Sequence, residues 1–394
     1  MTTILTASGS REFIIDLLQM ATSTKIYDVA VIGAGIVGAA CAASLSREGL
    51  RVVIVESKNV ASGATAAGMG HIVVMDDSEA QFALTQYSQA LWNELVPELP
   101  TLAEFQNCGT IWVAADDEEM KEVRRKHYLY SSRGLNSEIL DERSLLNAEP
   151  NLREGLGGGL LVGGDSVVYQ LFATRYLIET AKQNGSVLRT GRTVVEITDD
   201  GAKLDNGEHI LSKLIVNAAG FAAADLSPEL DIAKRKGHLI ITERYPNFVR
   251  HQLIELGYLR SAHGTGGESV AFNVQPRGTG QLLIGSSRQF GAETDEIDHN
   301  IVRRMTSRAF EFMSGLRSLS VTRVWTGFRP ATPDNLPYIG KLPDSENVYV
   351  AAGHEGLGIT TSIGTAELIT DTILGRETAI PIDPYLPGRR TDKH

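Results

Sequence analysis

Apolar and polar positions alternate along this chain in two rhythms, and the first clear one is a short unbroken run. Tyr27, Asp28, Val29, Ala30, Val31 and Ile32 form the kind of segment expected in a parallel strand buried on both faces. Gly33, Ala34, Gly35, Ile36, Val37 and Gly38 follow at once, then a small-residue helix from Ala39 to Ser46 and a second apolar strand from Arg51 to Val55 that ends in Glu56. Strand, glycine turn, helix and strand make one βαβ unit. Leu214 to Gly220 and Val348 to Ala352 repeat the buried-strand pattern, and the latter runs through Gly353, His354, Glu355, Gly356, Leu357 and Gly358 into a helix from Ile359 to about Leu374. Both read as later strands of the same sheet.

Between these segments the pattern changes. Gly109 to Ala114 and Leu239 to Thr242 read as strands, while Glu118 to Arg133 and Val302 to Met313 have helical spacing with charged outer faces. The expected architecture is therefore α/β: a Rossmann-like nucleotide-binding domain of the glutathione-reductase type with an inserted α+β substrate domain built on a mixed sheet. The first is expected over 25–108, 150–230 and 320–380, and the second over 109–149 and 231–319. Residues 1–24 read as an N-terminal extension. Arg11, Glu12 and Asp16 interrupt its apolar cluster, which argues against a secretory signal, and Met20 is an alternative start. Residues 381–394 read as a proline-containing tail, and no internal repeat is visible.

Composition narrows the class. With 42% hydrophobic and 22% charged residues in 394, the chain is an ordinary globular one rather than a disordered one. A net charge of -11 argues against non-specific binding to nucleic acid or anionic lipid. Two cysteines, Cys41 and Cys108, are too few for a disulfide framework or a four-cysteine metal or iron–sulfur site within one chain. They fit a reducing, cytoplasmic setting. No His or carboxylate cluster has metal-ligand spacing, and no run reaches the ~18 apolar residues of a membrane-spanning helix.

The glycine triplet has a physical task. Gly33 permits the tight turn, Gly35 lets the backbone approach a pyrophosphate, and Gly38 allows close helix packing, while the helix N-terminus offers free N–H groups. Glu56 lies at the end of the next strand, where it can accept from a ribose hydroxyl and would repel a 2′-phosphate. Glycine-rich backbone after Glu56, in Ala61 to His71, and a second glycine turn some 300 residues later suit an extended dinucleotide such as FAD better than a nicotinamide cofactor. The helix from Ile359 would aim its positive end at the flavin's pyrimidine edge.

Four blocks together resemble a known family, the FAD-dependent amine and D-amino acid oxidoreductases that include glycine oxidase and sarcosine oxidase. They are Val31 to Gly38, Gly63 to Gly70, Trp325 to Gly340 (WTGFRPATPDNLPYIG) and Ala351 to Gly358 (AAGHEGLG). Within it, Arg235 to Leu259 and Gln281 to Gly291 resemble the subgroup of D-hydroxyproline dehydrogenase catalytic (β) subunits, with opine oxidase and hydrogen cyanide synthase subunits near. The resemblance implies non-covalent FAD held by Gly33, Gly35, Ile36, Gly38, Glu56, Ser57, Thr65, Ala66, Gly68, Met69, Gly70, His71, Val194, Ala219, Gly220, Gly356, Leu357, Gly358, Ile359 and Thr360. It implies hydride transfer from the α-carbon of a small D-amino acid or cyclic secondary amine, D-hydroxyproline or D-proline first. It also implies partner subunits that carry further redox centres. A self-sufficient glycine, sarcosine or opine oxidase is the alternative, and a binding module with a structural FAD is the reading from another class.

Arg329 occupies the family's carboxylate-anchoring position, a task for which a guanidinium fork is suited; a structural ion pair with Asp334 is the competing account. Asn273 and Arg288 stand where glycine oxidase has a tyrosine and a methionine, so a more polar pocket is expected, suited to a substrate with a hydroxyl or a second carboxylate. His71 is the histidine with a positional argument, ahead of His238, His263 and His354. Tyr258 is a candidate lid residue.

Overall fold

The computed structural model describes residues 26–257 and 268–389. Tyr258 and His263 lie outside the described residues. Two eight-stranded sheets carry the architecture. In the first, Tyr27–Ile32 lies between His209–Asn217 and Val52–Glu56, with Val348–Ala352 and Val187–Thr190 beyond them, all parallel. Tyr338–Lys341 closes one edge antiparallel. The short apolar runs are strands because both of their faces are covered, and Val29, Ala30, Val31, Val53 and Ile54 have no exposed surface. Helix Ile36–Arg47 packs its alanines and Cys41 against helices Gln170–Gln183 and Gly358–Leu374 in one apolar core.

The second sheet is mixed. Its order is Val321–Ala331, Ala233–Arg244, Gln281–Phe290, Glu268–Pro276, Gln252–Glu255, Thr110–Ala114, Gly158–Val162 and Ser137–Asp141. Only Gln252–Glu255 and Thr110–Ala114 pair in parallel. Helix His299–Phe312 covers one face with Ile301, Met305, Ala309 and Phe312. The other face turns toward the first sheet's glycine-rich turns.

Several boundaries differ from the sequence pattern. The strand expected over Leu239 to Thr242 runs from Ala233 to Arg244, because Lys234, Arg235, Lys236 and His238 break the apolar pattern of its first half. Two strands also leave the sheet that their place in the chain suggests. Gly158–Val162 and Val321–Ala331, expected in the nucleotide-binding domain, pair within the second sheet instead. The reason for the latter is register: Val321–Ala331 meets Ala233–Arg244 along most of its length, with Arg329 opposite Arg235.

The tail is pinned rather than loose. Tyr385 is buried and donates to the Ala80 carbonyl at 2.6 Å, and Arg389 forms a two-pronged pair with Asp334 at 2.7 and 2.8 Å. No helix among the described residues is long and apolar enough to cross a membrane.

Candidate functional site

A cleft of about 1490 Å³ runs between the two sheets. That exceeds the roughly 300 to 1,000 Å³ of a pocket for one small molecule, so it has room for an extended cofactor and a small substrate together.

At one end the first βαβ unit builds a nucleotide cradle. Gly33 has φ +100°, and a Cβ there would fall 2.6 Å from the Ala218 carbonyl oxygen; a Cβ on Gly38 would fall 2.0 Å from the Gly33 oxygen. Neither position admits a side chain. Helix Ile36–Arg47 starts at Gly35 without a side-chain cap, and the Ile36 N–H donates to Thr65 Oγ1 at 3.0 Å. Glu56 reaches back to this turn: Oε2 accepts from the Ala34 N–H and Oε1 from the Lys58 N–H, each at 2.8 Å. An uncapped helix start beside a buried carboxylate at the end of the next strand suits a pyrophosphate followed by a ribose. Ser57, Thr65, Ala66, Val194, Ala219 and Gly220 line the same part of the cleft.

Three of the expected cofactor residues support this wall without lining it. Gly38 packs the helix onto the turn. Gly70 has φ +94° with the Val168 carbonyl 2.0 Å from where a Cβ would lie. Thr360 is fully buried and donates through Oγ1 to the His71 carbonyl at 2.9 Å; as the third residue of its helix it faces inward, while Gly356, Leu357, Gly358 and Ile359 line the cleft. That second helix also begins without a side-chain cap.

The middle of the cleft is apolar. Met69, Leu239 and Leu283 form a buried cluster with Ile241 and Trp325 against it. Close approach between the sheets depends on small residues here. A Cβ on Gly285 would meet Leu239 at 2.9 Å and Met69 Sδ at 3.2 Å, one on Gly68 would meet Ile359 at 2.8 Å, and one on Gly327 would meet Ala67 at 2.2 Å.

The far end is polar. Arg329 lines it, its guanidinium lying over Gly237, and Nη1 donates to the Ser287 carbonyl at 3.0 Å. Its carboxylate partner is Glu355, 3.9 Å from Nε, and not Asp334, which Arg389 holds. Glu355 has φ +48°, a left-handed conformation that a non-glycine residue seldom adopts. Its Oε1 pairs with Arg235 Nη1 at 3.0 Å and its Oε2 accepts from the Gly356 N–H. Burial alone would raise its carboxyl, but Arg288, Arg329 and Arg235 together carry it down to about 2. Burial works against the Arg235 cation, whose guanidinium also stacks on Phe290 at 4.4 Å.

Asn273, Arg288 and His71 also line this end. The His71 imidazole is held down at about pKa 4, first by desolvation and then by Arg329, against a contribution from neighbouring Gln275. His71 Nε2, Asn273 Oδ1, Gln275 Oε1, Ser286 Oγ and Trp325 Nε1 are buried and have no hydrogen-bond partner among the described residues. All five belong to cleft-lining residues, and such a concentration of unmet polar atoms marks a ligand site. His238 and His354 have other partners. His238 Nε2 accepts from the Asp298 N–H, so Nδ1 carries its proton toward Ser287 Oγ; His354 bonds Thr365.

The sequence pattern alone does not single out Arg235, Glu355, Gln275, Ser286 or Trp325. The available signal was charge and amide chemistry inside otherwise apolar strands and in a glycine turn.

A family model described as FAD dependent oxidoreductase (DAO) matches residues 28–372. A glycine oxidase of Geobacillus kaustophilus is 27% identical, covering 94% of this chain and 99% of the relative. A hydrogen cyanide synthase subunit of Pseudomonas aeruginosa is 28% identical over 93% of this chain and 96% of its own length. The crystal structure of the Geobacillus kaustophilus glycine oxidase superposes with a TM-score of 0.84 at 27% identity, over 93% of this chain and 100% of that one.

Proposed function

The chain belongs to the DAO family of FAD-dependent oxidoreductases, enzymes that act on the CH–NH bond of amines and amino acids, and from that premise we propose that it oxidises a small amino acid whose α-carboxylate is anchored by Arg329. The cradle of Gly33, Gly35, Glu56 and Thr65 would hold the dinucleotide half of FAD, and the uncapped helix start at Leu357 would face its ring end. When bound, FAD supplies the two-electron acceptor for the substrate's Cα–H bond.

The observation that carries this reading is the Arg329 guanidinium, fixed in the cleft wall between the Ser287 carbonyl and Glu355. A fork held in one place presents the Cα–H bond of an amino acid in one orientation. Asn273 Oδ1 and Gln275 Oε1 are acceptors suited to an amine N–H. His71, neutral above pH 5, offers an acceptor rather than a stored proton. Met69, Leu239, Leu283 and Trp325 keep water from the reacting carbon.

The finer assignment follows the subgroup resemblance: D-hydroxyproline or D-proline, oxidised by a catalytic subunit that passes electrons to partner subunits. The test is anaerobic addition of D-hydroxyproline, D-proline, sarcosine, glycine and an opine to the purified FAD-loaded protein, following flavin absorbance, then admission of air. Bleaching by a proline with slow recovery in air supports a dehydrogenase subunit. Fast recovery with peroxide replaces it by an oxidase, and no bleaching by any of the five defeats the amino acid reading.

A further inference from the structure

One arm of the cleft extends past the carboxylate anchor and the amine acceptors. Asn273 stands opposite Ile254, and Ile254 opposite Trp112, on three adjacent strands of the second sheet. All three residues line the cleft, so a groove floored by Ile254 leads from the amine acceptors to the indole. Two strand spacings separate Asn273 from Trp112, about 10 Å between backbones, which is wider than a proline ring. The groove reaches two polar groups that the protein leaves unmet. Trp112 and Gln81 are 1% and 6% exposed, both line the cleft, and Trp112 Nε1 and Gln81 Oε1 have no hydrogen-bond partner among the described residues. They are neighbours, because Phe82, next to Gln81, packs in one apolar cluster with Trp112 and Ile254. The indole is fixed in place: Lys126, fully buried and paired with Asp76, holds its Nζ 4.8 Å from the ring centroid.

An indole N–H only donates, so the group that meets it must accept. An ammonium or an aliphatic end has no acceptor and would leave Trp112 Nε1 buried and unpaired, at a cost. A carboxylate accepts, but the surrounding charge is against it. Lys126 and Arg125 face Asp76, Glu122, Asp165 and Asp77, the last exposed at the rim and already engaged. Two cations among four carboxyl groups leave no positive charge to receive an anion. We infer that the substrate's side chain runs over Ile254 to Trp112 and Gln81 and ends in a neutral carboxamide, with its oxygen on Trp112 Nε1 and its N–H on Gln81 Oε1. The inference rests on the amino acid reading of Arg329 and names the substrate class for that site. Where the two differ, the groove puts a linear side chain ending in an amide ahead of the prolines.

The test uses carboxylic acids that have no amine and cannot be oxidised to an imine, with binding to the FAD-loaded protein measured by calorimetry. Succinamate, glutaramate and adipamate carry a terminal amide at increasing reach. Their isosteres 4-methylpentanoate, 5-methylhexanoate and 6-methylheptanoate end in an isopropyl group, and succinate, glutarate and adipate end in a second carboxylate. The expected result is that at least one amide binds tenfold or more tightly than both of its counterparts, because a site built to hydrogen-bond rejects an analogue that cannot. Trp112→Phe keeps an aromatic ring beside Lys126 and loses only the donor, so it should bring the ratio of amide to isopropyl close to one, and Gln81→Leu should reduce it. No preference for an amide at any length in the unmodified protein overturns the inference without any variant being needed. A dicarboxylate that binds more tightly than its amide overturns the neutral assignment, and a ratio that survives in Trp112→Phe overturns the role of the indole. Acetate separates the two levels. Loss of acetate binding in Arg329→Leu, with no amide preference in the wild type, leaves the carboxylate anchor standing and removes only the groove, whereas wild-type acetate binding in Arg329→Leu removes the amino acid reading itself.

Discussion

Arg329 rests on Gly237: a Cβ at position 237 would lie 2.5 Å from Nη1 and 2.9 Å from Cζ of the guanidinium. Gly237 and Arg329 belong to neighbouring strands of one sheet, offset by two residues in register. The anchor is therefore placed by backbone, with a bare strand below it and the Ser287 carbonyl beside it at 3.0 Å. A glycine in a strand interior has no side chain to pack, and here it leaves the space that the guanidinium occupies.

Gly237→Ala should push that guanidinium out of line. Displacement of a positioning group by about 1 Å can cost on the order of a hundredfold, so KM for the amino acid should rise ten- to a hundredfold with FAD content retained. An unchanged KM would show that the guanidinium's position over Gly237 is incidental.

Arg329→Leu removes the charge and both of its prongs. Truncating one partner of a desolvated, hydrogen-bonded charge pair costs about 2 to 5 kcal/mol, and substrate-driven flavin reduction should fall by at least a hundredfold in kcat/KM with FAD still bound. Arg329→Lys should recover only part of this, because an ammonium is not a planar fork. Reduction at the wild-type rate in Arg329→Leu would remove the central assignment.

At the nucleotide end, Glu56→Leu should weaken FAD retention. It deletes the acceptor of the Ala34 N–H and the carboxylate expected to meet a ribose hydroxyl. Equilibrium dialysis of the apoprotein against FAD should give a dissociation constant at least tenfold higher. Retention equal to wild type would place the ribose elsewhere.

The nucleotide end was the part most legible in the sequence, because its chemistry is local. Gly33, Gly35, Gly38 and Glu56 lie within 24 consecutive residues, and strand and helix flank them. The substrate end is non-local. Arg235, Arg288, Arg329 and Glu355 come from four separate segments, and only register places Arg235 opposite Arg329. Charged residues also hid the strand that carries Arg235, since an amphipathic strand facing a polar cleft breaks the apolar run used to find it. The motif marks Arg329 but not its partner: Asp334 is near in sequence, yet Glu355, brought in by the left-handed turn before the last helix, supplies the charge.

The buried histidines set a pH expectation. His71 and His238 are lowered to about 4 and His354 to about 3, in each case first by burial. All are neutral from pH 5.5 to 8, so the kcat/KM profile should carry no limb in that range that disappears in His71→Asn. Stability has a definite sign. An unfolded histidine takes up its proton near pH 6.5, above the folded value, so these groups stabilise the fold fully above that pH. The contribution is lost as pH falls from about 6.5 toward 4. A His71-dependent limb near pH 6 to 7 would mean that the imidazole works as a base.

Asp165 has the opposite sign. It is buried, with Oδ1 accepting from the Val74 N–H at 3.2 Å and from Gln89 Nε2 at 3.0 Å, while Oδ2 has no hydrogen-bond partner among the described residues. Burial pushes its carboxyl up to about 7. The folded protein thus holds a proton that the unfolded chain releases near its ordinary value, and stability declines as pH rises from about 4 to 7. Asp165→Asn keeps the oxygen that accepts both bonds and removes the charge. Its advantage over the wild type should be smallest near pH 4, grow through pH 7 to on the order of 4 kcal/mol and level off by about pH 8. Guanidinium midpoints of the two proteins at pH 5, 6, 7 and 8 measure this directly, and taking their difference cancels the histidine contribution that both share. A difference independent of pH would mean that the carboxyl is ionised in the folded state, and that a donor to Oδ2, a water or the Thr110 hydroxyl, supplies the solvation that burial otherwise denies it.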